Sequence, residues 1–122
     1  MAQPSTPLVV SSYRGGAFAI AGARYPGSVL LFRDRVISWA PSRVEDIDPA
    51  ALAAQVAESE TRVELLLLGC GQRLIPVAPD LRAALKARGV AVEPMDTGAA
   101  CRTFNVLTAE ERRVAAALIA VA

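Results

Sequence analysis

Residues that could bind a ligand follow two apolar segments of the sequence, 63–68 and 90–92. Each segment is short and unbroken, as is typical of a strand buried on both faces. Parallel strands bring their carboxyl ends to one edge of a sheet, and open α/β sheets bind ligands at that edge. The sequence therefore predicts a small pocket there, formed by Gly69, Gly71, Gln72, Asp96, Thr97, Arg102 and Asn105.

The same residue types also have structural explanations. Asp96, Thr97 and Asn105 could cap a helix or bond to its surface instead of contacting a ligand. The sequence Gly69-Cys70-Gly71 follows a strand, as phosphate-binding loops do, but it lacks the third glycine of a dinucleotide fingerprint and the Gly-Lys-Ser/Thr of a P-loop. A tight turn at the strand exit is the competing interpretation, because glycine accepts sharp backbone turns.

The chain contains two cysteines, Cys70 and Cys101, and no His. His is the usual base beside a nucleophilic Ser or Cys and the commonest metal ligand, so we predict neither a cofactor nor a metal site. The cysteine spacing matches no zinc or redox motif. A thiol beside Arg102 could be reactive, and a buried, inert thiol is the alternative. No catalytic residues are assigned, and whether the protein is an enzyme stays open.

One strand–helix–strand unit positions these residues. A helical pattern begins at Pro79 and stops at Arg88-Gly89, where glycine is typical of a helix end. The flanking strands are 63–68 and 90–92, and a helical crossover between them predicts a parallel pair. A second helix opens at Asp48-Pro49, with Asp as the cap and Pro in the first turn. A third covers residues 98–107.

The first third of the chain predicts antiparallel strands. Apolar residues alternate in 17–21 and form compact segments in 8–10, 29–32 and 36–39, separated by turn-forming residues. We predict an N-terminal hairpin or meander, preceded by a loose lead-in over residues 1–7, within a single domain spanning residues 1–122. Trp39, Phe32 and Tyr25 on this meander are explained equally well by core packing and by an exposed partner patch.

The last segment carries conflicting signals. Thr108-Ala109-Glu110-Glu111 matches a capping box, and the alanines that follow favour a helix. Residues 114–121 are also short, apolar and unbroken, which a buried strand permits. Propensity alone predicts a helix here.

Composition limits the classes of function. The 122 residues are 53% hydrophobic and 20% charged, with a formal net charge of +1. Opposite charges are interspersed, as in Glu110-Glu111-Arg112-Arg113, so we interpret them as solvated surface and predict no nucleic-acid binding. The longest apolar segment, 114–122, is about half of what a membrane-spanning helix needs, so we predict no transmembrane segment. A cytoplasmic protein with reduced thiols is expected.

Several short motifs, taken in order, resemble a known family of small domains. They are Gly69-Cys70-Gly71, Gly89-Val90-Ala91-Val92-Glu93, Met95-Asp96-Thr97 and residues 100–107, with the glycine-rich meander and Trp39 ahead of them. The family includes the mitochondrial NADH:ubiquinone oxidoreductase complex assembly factor 3 and an adipogenesis-associated relative. The chain has no room for a mitochondrial presequence, so it resembles a bacterial member.

The resemblance implies a three-layer α/β fold with a mixed central sheet, a βαβ core and an added hairpin. It also implies that the final segment is a strand, antiparallel to its neighbours. For function, it implies a non-catalytic accessory or assembly-type protein that acts through protein partners, for respiratory complex I or another membrane complex. A homo-oligomer is compatible with this interpretation. A small-molecule-binding domain or enzyme that uses the predicted pocket is the alternative.

Overall fold

A computed structural model describes residues 6–122; of the predicted lead-in, residues 1–5 lie outside this part of the chain. The described residues form eight strands, three α-helices and one 3-10 helix. In chain order these are β1 (Val10–Ser12), β2 (Ala17–Ile20), β3 (Ala23–Pro26), β4 (Val29–Leu31), β5 (Val36–Ser38), the 3-10 helix (Val44–Asp46), α1 (Pro49–Ala57), β6 (Leu65–Gly69), α2 (Pro79–Lys86), β7 (Ala91–Met95), α3 (Thr97–Ala109) and β8 (Val114–Leu118).

A five-stranded mixed sheet, in the order β5-β4-β8-β6-β7, forms the middle layer. β6 and β7 pair in parallel through the α2 crossover, with Leu65 opposite Ala91 and Gly69 opposite Met95. The predicted βαβ unit is therefore confirmed. Asp48 accepts a hydrogen bond from Ala51 N at 3.2 Å and caps α1, as the sequence predicted.

The leucines of β6 pack on both faces of this sheet. Leu66 and Leu68 join a core with α1 and α2, whereas Leu67 joins a second core with α3 and the small sheet. Successive side chains of a strand point to opposite faces, so an unbroken apolar strand needs a cover on each side. The result is three layers, with α1 and α2 on one face and α3 with the small sheet on the other.

The small sheet, β1-β2-β3, departs from a single continuous meander. The residues between segments 17–21 and 29–32 were predicted to form only a turn, but they contain a strand, since β3 (Ala23–Pro26) pairs antiparallel with β2. Gly27, with φ of 78°, then turns the chain into β4 of the central sheet. The N-terminal strands thus divide between two sheets, because a left-handed glycine redirects the chain between β3 and β4.

The final segment is a strand, β8, as the family resemblance implied and propensity did not. The resemblance also implied that it runs antiparallel to its neighbours, which is right for β4 and wrong for β6, its parallel partner. The cause is α3, a second helical crossover that returns the chain in the direction of β6 and β7. All five side chains of β8 are buried, which favours its short alanines.

Candidate functional site

The two loops of the predicted pocket meet at one edge of the central sheet. β6 ends at Gly69 and β7 ends at Met95, and Cys70 N donates a 2.9 Å hydrogen bond to Met95 O. Thr97 N donates to Gly71 O at 2.8 Å. The prediction that both loops lie at the carboxyl edge of the parallel strands is therefore confirmed.

Thr97 holds this edge together. Its side chain is fully buried, and its Oγ1 accepts a hydrogen bond from Gly71 N at 2.9 Å while donating one to Ile119 O at 2.8 Å. Ile119 N in turn donates to Gly69 O at 2.9 Å. The hydroxyl thus links the loop after β6, the start of α3 and the chain just after β8.

Two glycines at this edge make room for protein atoms. A Cβ on Gly69 would lie 3.0 Å from Leu118 Cδ2 and 3.1 Å from Thr97 Cα. A Cβ on Gly98 would lie 2.6 Å from the hydroxyl oxygen of Tyr13. These glycines therefore permit close packing between elements, a role that needs no phosphate.

The remaining predicted residues divide into two groups. Asp96 accepts a 2.8 Å hydrogen bond from Ala99 N and caps α3, as the structural interpretation proposed. Gly71 adopts φ of 106° and has open space where a side chain would stand. Gln72, next to Gly71, is exposed, and so is Arg102, which lies on α3 six residues after Asp96. A ligand at this edge would therefore contact chiefly Gly71 and Gln72.

Asn105 does not lie with the others. It follows Asp96 by nine residues on α3, which corresponds to roughly 13 Å along a helix axis. Its Oδ1 accepts a hydrogen bond from Val10 N at 3.0 Å, and its Nδ2 donates one to Val10 O at 2.9 Å. Both polar groups of the amide thus bond to the backbone of β1, as the backbone of a neighbouring strand would.

Both cysteines are free thiols in buried positions. Burial raises the pKa of Cys101 to about 12, and the charge of the neighbouring Arg102 acts in the opposite direction. Burial likewise raises the pKa of Cys70, against the smaller effect of hydrogen bonds with the backbone of Ile75 and Met95. A thiol with a raised pKa holds little thiolate at neutral pH, which favours the inert interpretation.

A cleft that the sequence did not predict lies at the opposite edge, where the parallel strands begin. Its volume is about 420 Å³. It is lined by Arg33, Glu60, Thr61, Arg62, Glu111, Arg112, Arg113 and Val114. Part of this cleft is the charged segment Glu110-Glu111-Arg112-Arg113, which was noted in the sequence. A charged turn is interpreted as solvated surface unless its neighbours in space are known.

Two smaller clefts continue this one. One, of about 320 Å³, shares Arg112 and Arg113 with it, and another, of about 220 Å³, shares Arg62 and adds Arg88. We call the arginines of these three clefts the arginine row: Arg33, Arg62, Arg88, Arg112 and Arg113.

Among residues 6–122, no helix has both the length and the apolarity to cross a membrane. In the same part of the chain, Cys, Asp and Glu side chains do not gather in threes where they could hold a metal ion.

Comparison with known sequences gives matches over most of the chain. Residues 10–119 match the family described as a protein of unknown function (DUF498/DUF598). An uncharacterised protein of Rhodobacter capsulatus is 38% identical over 92% of this chain and 84% of its own length. The NADH dehydrogenase [ubiquinone] 1 alpha subcomplex assembly factor 3 of Xenopus tropicalis is 33% identical over 92% of this chain, which spans only 61% of that protein.

Comparison with solved structures agrees with the fold. A crystal structure of a protein from Bordetella parapertussis has a TM-score of 0.86 and 36% identity, and the match covers 97% of this chain and 99% of that one. These matches confirm both the family resemblance found in the sequence and the three-layer α/β fold.

Proposed function

The chain belongs to the family described as a protein of unknown function (DUF498/DUF598), and on that premise we propose that it is an accessory protein of the assembly type. It acts through contacts with protein partners and catalyses no reaction of its own. Its partners are subunits or assembly factors of respiratory complex I, or of another membrane complex under construction.

The similarity to the mitochondrial assembly factors carries this proposal. It extends over 92% of this chain in the Xenopus protein and so includes every layer of the fold. The chain corresponds to less than two thirds of that protein, so the shared part is the domain itself. Shared architecture alone does not fix function, which is why the assembly role needs a direct test.

The side chains at the carboxyl edge support a non-catalytic role. The Thr97 hydroxyl and the Asp96 carboxylate bond to the backbone, and the Asn105 amide does the same at β1. The two thiols have raised pKa values, and the sequence offers no His to act as a base. The chemistry available at this edge is therefore better suited to holding the fold than to turning over a substrate.

Deletion of the gene in its native cell tests the assembly role. We expect less of the fully assembled respiratory complex on native gels and an accumulation of its partial assemblies, with both reversed when the gene is restored. Capture of the tagged chain after mild crosslinking should enrich subunits of that complex over a tagged protein of similar size. Normal complex levels in the deletion strain, together with no enriched subunit, would refute the proposal.

The small-molecule pocket is the second candidate function. It is favoured by the exposed Gln72 beside the open turn at Gly71, and by the exposed Arg102 on α3, the helix that begins at this edge. A ligand that binds only the folded state raises its melting temperature, so a metabolite screen by thermal shift separates this function from the first. A cytoplasmic location and a homo-oligomeric state stay predictions.

A further inference from the structure

The arginine row follows the order of the strands across the sheet. Leu65 of β6 lies opposite both Val114 of β8 and Ala91 of β7, and continuing the β4–β8 register past the end of β4 places Arg33 opposite Val114. Arg113 directly precedes β8. Neighbouring strands lie about 4.8 Å apart, so the line from β4 to β7 spans roughly 14 Å.

The backbone fixes this line of residues. Glu64 N and Leu65 N both donate to Arg113 O, at 2.9 and 3.2 Å, and Ala91 N donates to Glu64 O at 2.9 Å. Arg33 is anchored as well, because its Nη1 donates to Thr108 O at 3.1 Å. A partner would therefore meet a row whose backbone positions are set before it binds.

Two guanidinium groups in the 420 Å³ cleft are available to a partner. Arg113 lies 3.5 Å from the Glu64 carboxylate, an exposed ion pair. Arg62 and Arg112 are exposed, and no carboxylate among residues 6–122 forms an ion pair with either. They line the same 420 Å³ cleft, one entering from the α1–β6 connection and the other from the α3–β8 turn.

The turn that presents Arg112 adopts an unusual backbone conformation. Glu111 has φ of 60°, which lies in the left-handed region that residues other than glycine rarely adopt. Glu111 N donates to Thr108 O and Arg112 N donates to Leu107 O, which is the hydrogen-bond pattern of a Schellman helix end. The chain therefore keeps a charged residue where glycine is usual, on the wall of the cleft.

We propose that the arginine row binds an extended acidic segment of the protein partner. This inference rests on the proposed function and names the chemistry of the partner. Three adjoining clefts along roughly 14 Å suit an extended segment of about four residues, at about 3.3 Å per residue, better than one compact anion.

The charges within the row also favour a peptide over a nucleic acid. Arginines outnumber the glutamates that line the same clefts, which are Glu60, Glu64 and Glu111. A phosphate backbone carries a charge on every unit and would be repelled by those glutamates. An acidic peptide can place an uncharged or basic residue opposite each of them.

Fluorescence anisotropy with a labelled six-residue peptide of alternating Glu and Gln, at about 50 mM salt, tests the inference. Hexaglutamine of the same length is the neutral control. The variant combines Arg62→Gln with Arg112→Gln, and the matched control combines Arg24→Gln with Arg73→Gln. The control removes the same charge from two exposed arginines, one on β3 and one in the loop after β6, that line none of the three clefts.

We expect the alternating Glu/Gln peptide to bind and hexaglutamine not to. The Arg62/Arg112 variant should bind the Glu/Gln peptide about fivefold to tenfold more weakly, and the Arg24/Arg73 variant should bind it as the unmodified chain does. Glu111→Gln should tighten binding. Equal weakening by both double variants would overturn the inference, because it would reflect net charge alone. Tighter binding of a single-stranded oligonucleotide than of the peptide would also overturn the inference. NMR chemical shifts of backbone amides that change outside the arginine row when the peptide binds would do the same.

The same variant separates this inference from the proposed function. If the Arg62/Arg112 variant still captures the partner of the unmodified chain with the same yield, the acidic-segment inference is wrong and the assembly role stands. If the unmodified chain captures no partner while deletion leaves the complex intact, the assembly role itself fails. Melting temperatures of all variants are measured first, and because the substituted arginines are exposed we expect them to be unchanged.

Discussion

The bond between Asn105 and β1 gives the sharpest prediction about stability. Asn105 forms two hydrogen bonds to the backbone of Val10, at 3.0 and 2.9 Å, between residues 95 positions apart in the chain. Val10 itself is 7% exposed. Replacing Asn105 with Ala removes both bonds, and a net value of about 0.5–1.5 kcal/mol for each gives a loss of about 1–3 kcal/mol in the free energy of unfolding.

Asn105→Asp makes a more specific test, because its effect depends on pH. A protonated carboxyl group can accept from Val10 N and donate to Val10 O, as the amide does. An ionised one cannot donate and faces the carbonyl oxygen, so the pKa of the new carboxyl should be raised in the folded state. A raised folded pKa means that the stability is present below the unfolded pKa, about 3.9, and is lost as pH rises through the folded value.

Urea unfolding between about pH 3 and pH 7 measures this effect as the difference between variant and unmodified chain at each pH. Gln72→Glu is the matched control, since it makes the same amide-to-acid change at an exposed residue. We expect a nearly unchanged stability for Asn105→Asp at the acid end and a growing loss toward neutral pH. A difference that stays constant with pH, or that Gln72→Glu reproduces, would refute the role of the amide at β1.

Three further predictions concern single sites. Glu111→Gly should raise the free energy of unfolding by about 0.5–1 kcal/mol and the melting temperature by about 2–4 °C, because glycine relieves the left-handed conformation at some entropic cost. Gly89 has φ of 76° at the equivalent position of the α2 end, so Gly89→Ala should lower both quantities. At pH 7, iodoacetamide should label Cys101 in the folded chain far more slowly than a model thiol, since a pKa of about 12 leaves about one thiolate in 100,000; labelling at the model rate without unfolding would contradict this. Asp96→Ala should cost about 1 kcal/mol in urea unfolding by removing the α3 cap, and should abolish any ligand-induced thermal shift if the predicted pocket exists; a shift of unchanged size would move that pocket elsewhere.

Local signals predicted much of the fold. The leucines of β6, the prolines and Asp residues that start helices, and Gly89 at the end of α2 each act within a few residues of themselves. Asp96 was predicted both as a cap and as a pocket residue, and it does cap α3. These features can be predicted from the sequence because the interactions that form them join residues close together in the chain.

Features that depend on contacts between residues far apart in the sequence could not be predicted from it. Thr108 was interpreted as the start of a helix, yet it lies in the last turn of α3 and donates to Phe104 O at 2.8 Å. The alanines of β8 favour a helix until β4 and β6 flank them. Asn105 was assigned to the carboxyl edge because nothing in the sequence links it to Val10. The arginine row is assembled from four separate segments, each of which alone looks like ordinary surface.

The position of β8 has a consequence for how the chain folds during synthesis. It is the last strand in chain order, but it lies between β4 and β6 in the centre of the sheet. Until residues 114–118 leave the ribosome, β4 and β6 have no common partner, and their open edges are exposed to other nascent chains. Completion of the sheet is therefore a late event. A chain that ends before residue 114 would expose the unpaired edges of β4 and β6, and would be expected to bind chaperones.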